Sequence, residues 1–152
     1  MQIFISYSTL KFYSKFWNFL NIYQRIIGII IYFLYELSYT FTSLMDPGII
    51  TNEYYLENFD VDKMNLNKYK ICEICNVIID LDKGVEHCNN CNICIIGNDH
   101  HCLWTSKCVG RKNLYMFRAF VVFLTFHIAF IFINTIILSI FINQIHKNKH
   151  KK

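Results

Sequence analysis

Proline and glycine are scarce in this chain of 152 residues, with one proline and five glycines, so little in it can interrupt a long helix. Charge is scarce too. Charged residues make up 17% against 54% hydrophobic. The apolar residues are concentrated in two blocks, 26–45 and 116–142, which argues for membrane-spanning helices over one large soluble core. The formal net charge of +4 is slight and no basic stripe interleaves with aromatics, which speaks against nucleic acid as a partner. No small-residue cleavage site follows an uninterrupted apolar run, which speaks against a cleaved signal peptide. Cysteine is missing from everything outside one stretch: all seven lie between Cys72 and Cys108, where His87, His100 and His101 join them.

From Cys72 to Asn113 the chain reads CEICNVIIDLDKGVEHCNNCNICIIGNDHHCLWTSKCVGRKN. Cys72 and Cys75, Cys88 and Cys91, and Cys91 and Cys94 stand at C-x-x-C spacing, which supplies two tetrahedral zinc ligands from one turn. Two Cys3His sites would consume six of the seven cysteines and two of these three histidines. One cysteine and one histidine are left over. Within Asp99-His100-His101-Cys102 that remainder can be a cysteine beside a histidine beside an aspartate, the arrangement of an activated thiol: the thiolate attacks, the imidazole takes its proton and the carboxylate orients the imidazole. A disulfide framework is the alternative for clustered cysteines, but an odd count and histidines at ligand spacing argue against it. So short a segment cannot bury enough apolar surface to fold alone, so metal should fold it, as short β-hairpins around the knuckles.

The segment resembles the DHHC protein S-acyltransferases (palmitoyltransferases). Besides Asp99-His100-His101-Cys102, the resemblance rests on CxxC at 72–75, HCxxCxxC at 87–94, Trp104, Cys108-Val109-Gly110 and Asn113, with Asp46-Pro47-Gly48 upstream. It implies one zinc on Cys72, Cys75, His87 and Cys94 and a second on Cys88, Cys91, His101 and Cys108, both structural. It makes Cys102 the acyl-carrying nucleophile, His100 its base and Asp99 the orienter. It implies a long-chain acyl-CoA (palmitoyl-CoA) co-substrate and membrane-associated proteins with acceptor cysteines as partners. The fold class that follows is an α-helical, multi-pass membrane protein with a small zinc-bound cysteine-rich domain between two transmembrane helices. The resemblance also implies that this domain faces the cytosol, in the Golgi or endoplasmic reticulum.

The remaining chain divides accordingly. Residues 1–24 are aromatic and apolar but carry Lys11 and Lys15. They are read as an interfacial helix, lysines up and Phe12, Phe16, Trp17 and Phe19 down, or as a first transmembrane helix. Residues 26–45 form a transmembrane helix containing Glu36, and 46–71 the Asp-Pro-Gly turn and a polar linker. Residues 72–115 are the zinc domain, 116–142 a second transmembrane helix containing His127, and 143–152 a basic tail. Glu36 and His127 are read as groups held by polar contacts to neighbouring helices. Arg111, Lys112 and Arg118 are candidates for the CoA phosphates, or anchors of a helix end. The lysines of the tail favour a cytosolic tail by the positive-inside tendency, whereas reduced cysteines favour a cytosolic zinc domain.

The sequence departs from the family's pattern in places. Leu103 follows the motif cysteine where proline is usual, Lys107 stands where asparagine is common, and only Lys83 echoes a Lys-Pro-x-Arg element. The family has at least four transmembrane helices and a Thr-Thr-x-Glu motif after the last. The sequence stops after the helix following the zinc core, so a fragment, a truncated gene model or a degenerate member is expected. The competing function is a membrane-anchored zinc scaffold that binds a partner without chemistry.

Overall fold

The computed structural model describes residues 2–51 and 69–149. Most of the polar linker and the end of the basic tail lie outside the described residues. In chain order come α1 (Gln2–Phe16), a 3-10 turn (Trp17–Phe19), α2 (Ile22–Leu44), β1 (Tyr69–Ile71), β2 (Ile78–Asp80), β3 (Val85–Cys88), β4 (Ile93–Ile96), β5 (His100–Cys102), β6 (Lys107–Val109) and α3 (Leu114–Lys149). Internal contacts divide the chain into a helical unit, up to Ser38 and from Ala119 onward, and a cysteine-rich unit, Tyr39–Arg118.

In the helical unit, α2 begins at Ile22 because Asn21 and Gln24 form a capping box. The Asn21 side chain accepts from the Gln24 amide and the Gln24 side chain from the Asn21 amide, both at 2.9 Å. Hydropathy alone puts the start later, at 26. At the other end α3 continues beyond 142 to Lys149, since Asn, Gln and Lys end an apolar run without breaking a helix. Ile22–Leu44 and Leu114–Ile145 are long and apolar enough to cross a membrane. Only 22% of each span's apolar window is buried inside the protein, so Ile26, Ile30, Phe33, Phe126, Phe132 and Ile133 face outward. That much outward apolar surface suits lipid and not water.

The first helix does not lie apart with its aromatic face free. Phe12 and Phe16 are buried in a cluster with Leu20 and Leu138, whereas Trp17 and Phe19 sit exposed in the 3-10 turn. Its polar residues serve the two apolar helices: Gln2 and Ser6 donate to the two Glu36 oxygens at 2.5 and 3.0 Å. Thr9 meets His127 at 2.8 Å. Both intramembrane groups thus have the helix-to-helix contacts that buried polar side chains require. Gly28 is needed for close approach, since a Cβ there would lie 2.1 Å from the Tyr13 hydroxyl and 2.6 Å from the Phe130 ring.

The cysteine-rich unit consists of three antiparallel hairpins, β1–β2, β3–β4 and β5–β6. The hairpins begin at Tyr69, ahead of the first cysteine, because β1 must precede the knuckle to pair with β2. Its apolar core is small, with Ile50, Val77, Ile79, Val85 and Ile96 around Cys72 and Cys94. The Asp46-Pro47-Gly48 turn does more than end α2. Asp46 Oδ1 accepts the amides of Gly48 and Ile49, each at 2.9 Å. The chain then runs along β4, where Ile96 N donates to Gly48 O and Ile50 N to Cys94 O, both at 2.9 Å. Gly110 packs against this segment so closely that a Cβ would fall 2.4 Å from Pro47 O. Asn113, fully buried, accepts from Gly110 N at 2.8 Å and donates to Thr42 O at 3.3 Å and Cys108 O at 3.1 Å. One amide therefore joins the end of α2, β6 and the start of α3.

Candidate active site and metal centres

The eight residues read as zinc ligands come together in two groups. Cys72, Cys75, His87 and Cys94 form one and Cys88, Cys91, His101 and Cys108 the other, with the candidate ligand atoms of each group within 4.8 Å of one another. Pairing places them: His87 lies opposite Cys94 across β3–β4, and His101 opposite Cys108 across β5–β6. Each hairpin thus presents one imidazole and one thiol on the same face. Both histidines point Nδ1 at the thiols, His87 at 3.2 Å from Cys75 Sγ and His101 at 3.3 Å from Cys91 Sγ. All seven cysteines are free thiols.

The donor set fits zinc. Three thiols and an imidazole are a common structural zinc environment. Without a cation the packed sulfurs oppose one another's ionisation. Burial first, then the neighbouring sulfurs Cys72 and Cys75, push Cys94 up to about 12. Burial with Cys88 and Cys91 raises Cys108 as well. A divalent ion at the centre of each group removes that opposition. Two groups of this kind accommodate two zinc ions.

Cys102 belongs to neither group. It ends β5 and is buried at the floor of a cleft of about 300 Å³ lined by His100, His101, Leu103, Trp104 and Phe117. Leu103 and Trp104 are exposed, at 79% and 50%, so the apolar rim faces away from the core. His100 Nδ1 meets Asp99 Oδ2 at 2.8 Å, and the ring packs edge-on against Phe117, centroids 5.0 Å apart. Burial disfavours the imidazolium, but Asp99 and Cys102 outweigh it and hold His100 above its ordinary value. Burial also opposes the Cys102 thiolate. Thr105, His100 and the Trp104 amide outweigh it, and the thiol lies below its ordinary range.

Two of the three candidate CoA-binding cations are engaged with groups of the protein. Arg111 donates from Nη2 to Lys83 O at 3.1 Å. Lys112 pairs with Asp46 at 2.7 Å. Arg118 is exposed on the first turns of α3.

Sequence reasoning missed Thr105, which is buried beside Cys102; nothing in the type of a lone threonine marks it. It also missed Lys107, whose ammonium donates to Ser43 O at 3.0 Å near the C-terminus of α2, where a cation is favoured. The Asn21-x-x-Gln24 spacing was a signal that could have placed the start of α2.

A family model described as DHHC palmitoyltransferase matches residues 65–152. The chain is 33% identical over 132 residues to palmitoyltransferase ZDHHC8 of Drosophila melanogaster, covering 80% of this chain and 14% of that protein. It is 30% identical over 135 residues to palmitoyltransferase ZDHHC18-A of Danio rerio, covering 74% and 28%. With palmitoyltransferase ERF2 of Candida glabrata it shares 27% over 115 residues, covering 64% and 34%. The chain thus spans about a third or less of the lengths of these relatives. The matched segment holds both thiol–imidazole groups and the Asp99-His100-His101-Cys102 strand, and the chain belongs to the DHHC palmitoyltransferase family.

Proposed function

We propose that this chain carries out protein S-palmitoylation through a Cys102 acyl-enzyme. One observation carries the proposal: of seven thiols, Cys102 alone stands outside both metal groups, and it lies two residues from a His100 already paired with Asp99. The Cys102 thiolate attacks the carbonyl carbon of a long-chain acyl-CoA. The bond between that carbon and the CoA sulfur breaks, and CoA leaves as a thiolate that takes the proton held on His100. A cysteine of a membrane-associated protein then gives its proton to His100 and attacks the Cys102 thioester, and Cys102 leaves as thiolate. The apolar rim of Leu103, Trp104 and Phe117 suits an acyl chain entering from a bilayer.

Cys72, Cys75, His87 and Cys94 would hold one zinc, and Cys88, Cys91, His101 and Cys108 the other. Each ion, held by four protein ligands, would supply rigidity in place of reactivity. Arg111 and Arg118 are offered to the CoA phosphates, with Lys112 available once it leaves Asp46. The compartment is the Golgi or endoplasmic reticulum, with the cysteine-rich unit in the cytosol, where thiols stay reduced.

The test is incubation of the purified chain in detergent with labelled palmitoyl-CoA, followed by a hydroxylamine wash, beside Cys102→Ala. A hydroxylamine-labile label that vanishes in Cys102→Ala is expected. No label on protein that retains two zincs would overturn self-sufficient transfer and leave the zinc scaffold.

A further inference from the structure

The three hairpins repeat one another more closely than their metal roles require. His87-Cys88-x-x-Cys91-Asn92-x-Cys94 recurs fourteen residues later as His101-Cys102-x-x-Thr105-Ser106-x-Cys108. The two segments have the same register, Cys88 opposite Ile93 and Cys102 opposite Lys107, each closed by a loop of the same length. The backbone agrees. Among the described residues the non-glycine positions with positive φ are Asn76 at 58°, Asn92 at 54° and Ser106 at 51°. Each stands four residues after the first cysteine of its turn: Cys72, Cys88 and Cys102. In all three turns the amides two and three residues on face that first sulfur: Ile74 and Cys75, Asn90 and Cys91, Trp104 and Thr105. Cys102–Ser106 is therefore a third knuckle.

The metal logic runs through the repeat in steps. The thiol pair of the first knuckle joins the His–Cys pair of the second hairpin, and the pair of the second knuckle joins the His–Cys pair of the third. The third knuckle has Cys102 in the first place and Thr105 in the second. Thr105 is 8% exposed, and its hydroxyl is buried with no well-aligned hydrogen-bond partner, while its side chain faces the Cys102 sulfur. A buried hydroxyl without a partner is costly. Here the group it stands beside is a sulfur that must carry charge during the reaction.

We propose that Thr105 serves the nucleophile as a second thiol serves a metal knuckle: its hydroxyl donates to the Cys102 sulfur when that sulfur is the attacking group in the first transfer and the leaving group in the second. The proposal rests on the acyl-transfer reading of Cys102. Once the sulfur is acylated it bears no charge and the hydrogen bond weakens, so the contact favours the two charged states over the thioester between them. The turn that elsewhere delivers two thiolates to an ion here delivers one sulfur and one donor. A cysteine at 105 would restore a third C-x-x-C and invite a soft metal ion onto the nucleophile.

The experiment compares the full chain in detergent with Thr105→Val, Thr105→Ser and Thr105→Cys. It measures bound zinc, iodoacetamide alkylation of Cys102 by peptide mass spectrometry, and single-turnover labelling by palmitoyl-CoA. Thr105→Val keeps the shape and should slow alkylation and both transfers about tenfold with two zincs retained, the scale of a lost hydrogen bond to a charged group. Thr105→Ser should restore most of the rate. Thr105→Val at the parent rate, or Thr105→Ser as slow as Thr105→Val, overturns the proposal. Thr105→Cys should raise the zinc content above two and shield Cys102 from iodoacetamide; unchanged zinc with an unshielded Cys102 overturns the shared knuckle geometry. Alkylation needs no acyl-CoA, so a parent chain that alkylates normally but takes no label sinks acyl transfer alone.

Discussion

Asn113 is fully buried and makes three hydrogen bonds to backbone groups. Replacing it with alanine strands the Gly110 amide and the Thr42 and Cys108 carbonyls. Asn113→Ala should cost roughly 3 kcal/mol, read as a lower midpoint in thermal unfolding of the detergent-solubilised chain. The Asp46–Lys112 pair is a different case. Both side chains are about half exposed, at 46% and 56%, so Asp46→Asn should cost no more than about 1 kcal/mol. Its sign against pH is fixed. Burial raises the Asp46 carboxyl, but the Ile49 and Gly48 amides and Lys112 outweigh it, and the folded value lies below the ordinary unfolded one. Its contribution is fully present above that unfolded value and fades as pH falls through the lower folded one. Thermal midpoints of the parent and Asp46→Asn should therefore be separated by a constant small gap at neutral pH and converge in acid. A gap that widens in acid would contradict this assignment. At this scale the thiols and imidazoles were legible, because ligand chemistry limits which residue types serve and how they are spaced. Asn113 was visible only as part of a resemblance, and Lys107 and Thr105 not at all, because their roles depend on backbone that other segments bring to them.

The elements were legible where periodicity or composition governs them. Two apolar runs gave two long helices, and the hairpins followed from ligand pairs that must converge. The start of α2 was misplaced because hydropathy ignores caps. The Asp46-Pro47-Gly48 segment was legible only as a turn, since its pairing along β4 is a long-range contact with no local signature. That pairing depends on the absence of a side chain at position 110, where a Cβ would lie 2.4 Å from Pro47 O and 2.6 Å from Ile95 Cγ2. Gly110→Ala must push backbone away, at about 1–3 kcal/mol. The expected signature is faster hydrogen exchange at Ile50 and Ile96, whose amides bond Cys94 and Gly48. Unchanged exchange there would show that β4 does not depend on this close approach.

For the molecule as a whole, the two units should respond differently to loss of metal. The helical unit is held by apolar clusters and helix-to-helix hydrogen bonds. The cysteine-rich unit has a small core and two groups of four ligands, so metal binding is a large part of its folding free energy. A strong chelator should therefore leave most of the helical circular dichroism intact. Over the same treatment, iodoacetamide should go from modifying Cys102 alone to modifying all seven cysteines. Loss of helicity in step with thiol exposure would show instead that the units unfold as one.

The interleaving of the two metal groups also has a consequence in time. Each group joins the knuckle of one hairpin to the His–Cys pair of the next, so neither site can be completed until the following hairpin exists. On a growing chain the first set is complete at Cys94 and the second only at Cys108, a delay of roughly 1–3 s at ordinary synthesis rates. Cys102, the proposed nucleophile, emerges inside that interval, when Cys88 and Cys91 still lack their partners. For that moment it is one of three unclaimed thiols, and the arrival of Cys108 is what sets it apart from the other two.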